Sequence, residues 1–309
     1  MIDPRLRVLR VVAERGTITA AAQDLNYTPS AVSHQLRTLS RDVGAPLIEQ
    51  EGRGIRLTTA ATTLLARSDE LFALWEGIRA EVHRSSGTGL GHLNLAGFST
   101  AASALLPAVA ATAVREFPES HVRIIEADPA VCFEMLLADQ VDVAVVVVGT
   151  HPLPSSGDPR FEQHPLLEDQ LDLLVPAGHP LAERRSATLA DAAGERWIMD
   201  RPGRPHHQLV LSACAAAGFS PAQAHEVIEW DTGAALVAAG LGVALVPRLA
   251  RLPAGEEFVR VPLRGADSPV RHVRTGIRRG TADQPEIALA LRELQRVASL
   301  VQLPPRESG

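Results

Sequence analysis

Four side chains at helical spacing, Ser30, Ser33, His34 and Arg37, make a row of small hydrogen-bonding groups that ends in a guanidinium. Positions three and four apart share a helix face. Small polar residues near the start of a helix let its backbone approach the floor of a DNA major groove. Ser33 and His34 there reach base edges or phosphates, and Arg37 reaches a guanine or a phosphate. Thr28 and Pro29 open the same helix, whose free N–H groups attract phosphate. Farther on, Arg53 sits between Gly52 and Gly54 at a turn, placed to enter a flanking minor groove, and Arg56 follows within reach of the backbone. A three-helix packing unit with a solvated polar face accounts for any one of these residues alone. Their combination and order point to duplex DNA.

The elements needed to hold that row are present. Leu6, Leu9, Val12 and Ala13 recur at helical intervals and predict a helix over 3–14, stopped at Gly16. Thr17 caps a short Ala-rich helix from Ile18 to Leu25. Thr28 caps a third helix with Pro29 at its first position, running to about Val43 before Gly44. Val32, Leu36, Leu39 and Val43 form its inner face. Two short apolar runs, Pro46–Ile48 and Ile55–Thr58, predict a hairpin. A long helix over about 59–82 follows. Its seam of Ala61, Leu64, Ser68, Leu71, Trp75, Ile78 and Val82 alternates steps of three and four, the pattern of a dimer interface flawed at Ser68. A polar linker closes this part, giving a head at 1–58 and a linker helix at 59–88.

Charge is divided in the same way. The chain of 309 residues carries a net −6, yet residues 1–60 hold eight Arg against six acids, leaving −8 for the remainder. A mildly basic head on an acidic body suits a DNA reader with a separate sensor. All thirty basic residues are Arg, which we ascribe to codon usage. From about residue 93 strands and helices alternate, implying α/β units with mostly parallel strands, among them the doubly buried run Val143–Val148.

At Gly16-Thr-Ile-Thr-Ala-Ala-Ala-Gln-Asp-Leu25, Thr28-Pro-Ser-Ala-Val-Ser-His-Gln-Leu36, Leu47-Ile-Glu and Arg56-Leu-Thr58 the chain resembles the LysR-type transcriptional regulators. The family pattern differs in having Arg where Gln50 stands and Gly where Ala61 stands. The run Glu49-Gln50-Glu51 makes this wing less basic, and modest nonspecific affinity is expected. The resemblance implies a winged helix-turn-helix head, a long linker helix and an effector domain at 89–309. That domain would be two-lobed like a periplasmic binding protein, with lobe 1 at about 90–162 and 268–309 and lobe 2 at about 163–267. The chain would cross between lobes near 160–165 and 262–270. A homodimer or homotetramer that binds promoter DNA, and a small-molecule effector held between the lobes, are implied as well.

In such sheets a ligand sits at the carboxyl ends of strands. That rule selects Phe98, Ser99 and Thr100, Asp128 and Pro129, and Gly149 and Thr150 in lobe 1, and Asp200 with Arg201 and Asp231 with Thr232 in lobe 2. Ser99 or Thr100 fits an ordinary helix cap equally well. Arg201 offers a guanidinium to an anionic effector, or is a surface residue beside Pro202 and Gly203. No catalytic triad order, nucleophile elbow or phosphate loop is found, so no enzyme activity and no cofactor are expected. His206 and His207 are adjacent and do not converge on a metal. Cys132 and Cys214 lie in opposite lobes and read as small core residues. With no signal peptide or membrane-spanning run in the sequence, a cytoplasmic location is expected.

Overall fold

A computed structural model describes residues 2–52, 54–86, 91–149, 153–254, 257–265 and 268–302. The head contains α1 (Arg5–Arg15), α2 (Ile18–Asp24) and α3 (Pro29–Val43). Thr17 Oγ1 accepts from the Ala20 amide at 3.2 Å and Thr28 Oγ1 from the Ala31 amide at 3.1 Å, so both predicted caps form. Gly16 and Gly44 end α1 and α3 in the left-handed conformation, with φ of 65° and 76°. Leu9, Val12, Ala21, Val32, Leu36 and Leu47 close the core of the head. Val43, expected on the inner face of α3, is exposed in the last turn, beyond the reach of that core.

β1 (Ile48–Glu51) and β2 (Gly54–Leu57) pair antiparallel as the wing, and Arg53 lies outside the described residues. α4 (Thr59–Ser86) leaves the wing, capped by Thr58 Oγ1 through the Ala61 amide at 3.1 Å. Its predicted seam divides. Ala61 and Ser68 are buried against the chain itself, Leu64 and Trp75 are half-buried, and Leu71, Ile78 and Val82 face outward, joined there by Leu74, which the seam did not include. Ser68 meets its polar need locally by donating to the Leu65 carbonyl at 2.8 Å.

Lobe 1 is built on β3 (His92–Gly97), β4 (His121–Glu126), β5 (Val143–Val148), the first part of β6 (Phe161–Pro176) and β11 (Val270–Arg278). Alternation along β5 sends Val143 and Val145 toward α5 (Ser99–Ala104), α6 (Leu106–Glu116) and α10 (Pro285–Gln302). It sends Ala144 and Val146 toward α7 (Pro129–Leu137), where Cys132, Phe133 and Leu136 pack. Lobe 2 is built on the rest of β6, β7 (Arg196–Met199), β8 (Ala222–Glu226), β9 (Ala244–Pro247) and β10 (Phe258–Pro262). α8 (Pro205–Ala216) and α9 (Trp230–Ala238) cover its two faces.

The sheets are mixed rather than mostly parallel. β3 runs parallel to β4 and β5, and β7 to β8, while β6, β9, β10 and β11 pair antiparallel. The chain passes between the lobes inside β6, whose residues 161–170 pair with β11 and 171–176 with β9 and β10. The polar stretch around Pro165 hides this strand in the sequence. Proline has no amide to give the ladder, and the register slips there, opposite Val273 and Arg274.

Candidate DNA-reading surface and interlobe cavity

α3 is amphipathic. Val32, Leu36 and Leu39 are buried, which turns Thr28, Pro29, Ser30, His34 and Arg37 outward, with Ser33 half-buried at the boundary. Arg37 folds back on its own helix, its Nε 3.3 Å from the Ser33 carbonyl, a contact readily exchanged for a nucleic-acid acceptor. Arg56 is paired across the wing with Glu49, its register partner. Both side chains are about half exposed, and a surface pair of this kind contributes about 0–1 kcal/mol. Phosphate can displace Glu49 at small cost.

A cavity of about 680 Å³ lies between the lobes. Ser99, Thr100, Asp128 and Gly149 line it. Arg201 and Thr232 do not; Arg201 is exposed, and both of their amides turn to neighbouring aspartates, Asp200 and Asp231, at 2.7 and 2.8 Å. Asp200 does line it, and lobe 2 adds Arg204, His206, Glu229 and Trp230. Thr150 lies outside the described residues. Phe98, rather than Ser99 or Thr100, is the cap residue of α5. Thr100 is tied to Arg271, which donates to its Oγ1 at 2.8 Å and to the buried carboxylate of Asp169 through Nε at 3.1 Å and through Nη2.

His206 donates from Nε2 to the Leu245 carbonyl at 3.0 Å, which leaves Nδ1 a bare acceptor; that atom is buried without a partner. Burial, reinforced by the charge of Arg271, pushes its pKa down to about 3, so the ring is neutral. Burial also pushes the thiols of Cys132 and Cys214 up to about 12, and both are free. Thiols of that kind pack as small apolar groups and react slowly. Among the described residues no group of three or more His, Cys, Asp or Glu is arranged to hold a metal ion, and no helix is long and apolar enough to cross a membrane.

Comparison with known proteins gives two family matches. The family described as bacterial regulatory helix-turn-helix protein, lysR family, matches residues 4–62, and the LysR substrate binding domain matches residues 86–299. The chain belongs to the LysR family. This LysR-family chain is a transcriptional regulator with a DNA-binding head and an effector-binding domain. It is 31% identical to the probable HTH-type transcriptional regulator LrrA of Synechococcus elongatus over 250 residues, 81% of this chain and 82% of that one. With the transcriptional dual regulator GltC of Bacillus subtilis it shares 26% identity over 261 residues, 84% and 85% of the two chains. Among solved structures it matches a full-length OxyR variant from Pseudomonas aeruginosa with a TM-score of 0.64 at 20% identity, covering 99% of both chains. It matches full-length CbnR complexed with target DNA with a TM-score of 0.55 at 23% identity, covering 96% and 100%. At these identities the structures speak to the fold of the LysR-family regulator.

The LysR head also touches lobe 1. Arg15 of α1 donates to Glu134 of α7 at 2.5 Å, Arg7 to Asp139 at 2.8 Å, and Arg160 to Glu14 at 2.6 Å. Burial alone would raise the Asp139 carboxyl, but Arg278 and Arg7 together hold it below the usual carboxylate range. α7 thus has its first residues in the cavity wall and Glu134 against the head.

Sequence reasoning missed Arg271, Asp169, His206, Glu229 and Trp230. One signal was available. Arg271 and Asp169 each fall on the strand face shared with buried neighbours, Val273 in one case and Leu167 and Leu171 in the other. A charge at a core-facing position needs a partner.

Proposed function

We propose that α3 reads operator DNA through Ser30, Ser33, His34 and Arg37, with Thr28 and Pro29 presenting the helix start to phosphate, Arg53 entering the flanking minor groove and Arg56 holding the backbone. The observation that carries this reading is the outward row on α3, held by a buried face of Val32, Leu36 and Leu39. Two copies pair through the outward apolar stripe of α4, as a dimer or as the unit of a tetramer. The interlobe cavity is the effector site, with Ser99, Thr100, Asp128 and Gly149 among its contacts.

Closure of the lobes on an effector moves the start of α7, and α7 carries that movement to Arg15 and the head. A change in the angle or spacing of paired heads then changes DNA bending. The protein acts by binding and not by turnover, in the cytoplasm where the chromosome lies.

A band shift with DNA from upstream of its own gene tests the reading. Arg37→Ala is expected to weaken binding about tenfold to a hundredfold, the worth of one guanidinium contact to a base. Binding by that variant at full strength removes the role given to α3.

A further inference from the structure

We propose that the effector is a cation, an organic amine or guanidine with an apolar body, held between Asp128 of lobe 1 and Glu229 of lobe 2. The inference rests on the reading of the interlobe cavity as the effector site and adds the chemical class of what fills it.

The balance of charge comes first. The cavity is lined by the carboxylates of Glu126, Asp128, Asp200 and Glu229 and by two guanidiniums, Arg204 and Arg271. Both guanidiniums already have a carboxylate partner, in a buried pair for Arg271 and in a part-exposed one for Arg204. Arg271 holds Asp169 and Thr100, and Arg204 holds Asp200 at 3.0 Å. Glu126, Asp128 and Glu229 have no ion pair among the described residues. Arg201, the guanidinium the sequence offers to an anion, lies outside the lining. A carboxylate ligand entering here meets three unpaired like charges and gains a guanidinium only by drawing Arg204 off Asp200.

The helix ends are occupied in the same sense. α7 and α9 start at the cavity, and bare helix starts attract anions. Here Asp128 and Glu229 are themselves the cap residues, so each end brings its own negative charge into the cleft.

His206 brings no charge to offset the carboxylates: the ring lines the cavity, its Nε2 donates to the Leu245 carbonyl at 3.0 Å, and burial keeps it neutral. An ammonium or guanidinium supplies N–H groups and no competing acceptor. Trp230 beside it offers an aromatic face of the kind that attracts cations. Phe98, Val131 and Leu209 make the remaining wall apolar, which suits a hydrocarbon or aromatic body.

Thermal unfolding of the full chain with two matched probe pairs tests the inference: tyramine against 4-hydroxyphenylacetate, and 1,5-diaminopentane against glutarate. At about ten times Kd, an amine probe is expected to raise Tm by about 3 °C. The Asp128→Asn, Glu229→Gln double variant, whose exposed positions leave its own Tm close to the parent, is expected to lose most of that shift. Stabilisation by the carboxylates and not the amines overturns the inference. So does an amine shift that survives in the double variant, or no shift with any probe at 10 mM, a ligand concentration well above a typical effector Kd. Val131→Trp, which fills the cavity, separates the two readings. A carboxylate shift abolished by Val131→Trp keeps the cavity as the effector site and removes only the cation, whereas a shift untouched by Val131→Trp removes the cavity itself.

Discussion

Arg15 and Glu134, 119 residues apart, join the end of the first helix of the head to the middle of α7 at 2.5 Å. With Arg7–Asp139 and Arg160–Glu14 they make a polar seam between the head and lobe 1. Each pair is partly exposed and contributes at most about 1 kcal/mol, so the seam is strong enough to bias the head and weak enough to be released. Glu134→Gln combined with Asp139→Asn is expected to cost about 1–2 kcal/mol of docking and to speed amide hydrogen exchange in α1 while leaving β5 unchanged. Equal exchange in α1 would show that the seam does not hold the head.

The stripe of Leu71, Leu74, Ile78 and Val82 leaves apolar area in water on a helix whose other face is already used. Leu74→Glu with Ile78→Glu puts two carboxylates at its centre. Light scattering is expected to show loss of the dimer, with the circular dichroism of the monomer unaltered. A variant that keeps the parent mass places the oligomer contact elsewhere.

Gly280 fixes how α4 lies on lobe 1. It adopts φ of 84°, and a Cβ there would fall 2.3 Å from the Ala73 carbonyl oxygen. Nearby, Gln284 donates to the buried Glu76 at 2.8 Å. Gly280→Ala therefore forces the helix away from the lobe and exposes that carboxylate. A stability loss of about 2–3 kcal/mol in urea unfolding is expected, combining backbone strain with overpacking. A loss below about 0.5 kcal/mol, the scatter of ordinary surface changes, would mean that the contact is loose.

His206 sets a pH dependence. Its folded pKa is depressed to about 3 from the ordinary histidine value of 6.5, so between those values the unfolded chain binds a proton that the folded chain refuses. Stability contributed by this ring is complete above pH 6.5 and is lost as pH falls toward 3. The slope from this one group is about 1.4 kcal/mol per pH unit at most within that window. Subtracting the profile of His206→Gln from that of the parent is expected to isolate a fall between pH 6 and 4. Parallel profiles would show a ring that is solvated and free to protonate.

Much of the head was legible because its signals are local. Thr28-Pro29 and Gly44 bracket α3 without help from the rest of the chain, and Thr17 does the same for α2. The register of α4 was less so. The spacing marks an apolar seam, but which members face a partner depends on where lobe 1 and the head pack, and Ala61 and Ser68 went inward. In the effector domain the βα ends of lobe 1 were found, since Ser99, Asp128 and Gly149 each follow a readable strand. Of the lobe 2 wall the same rule reached only Asp200. β8 ends at Glu226 and α9 begins at Trp230, which brings Glu229 and Trp230 to the cavity in place of Thr232. The Arg271–Asp169 pair spans 102 residues and two strands, a relation that no local pattern encodes.

The most direct test of α3 as the reading helix uses its own chemistry. Both native thiols are buried and held protonated by their surroundings, so Ser33→Cys gives one reactive site for an iron-chelate cleavage reagent. With the reagent attached there, cuts are expected in one cluster of the major groove per half-site of the upstream duplex, while the same reagent on Val114→Cys, an exposed position of α6, leaves the DNA intact. Cleavage by the α6 derivative with none from the α3 derivative would contradict the assignment.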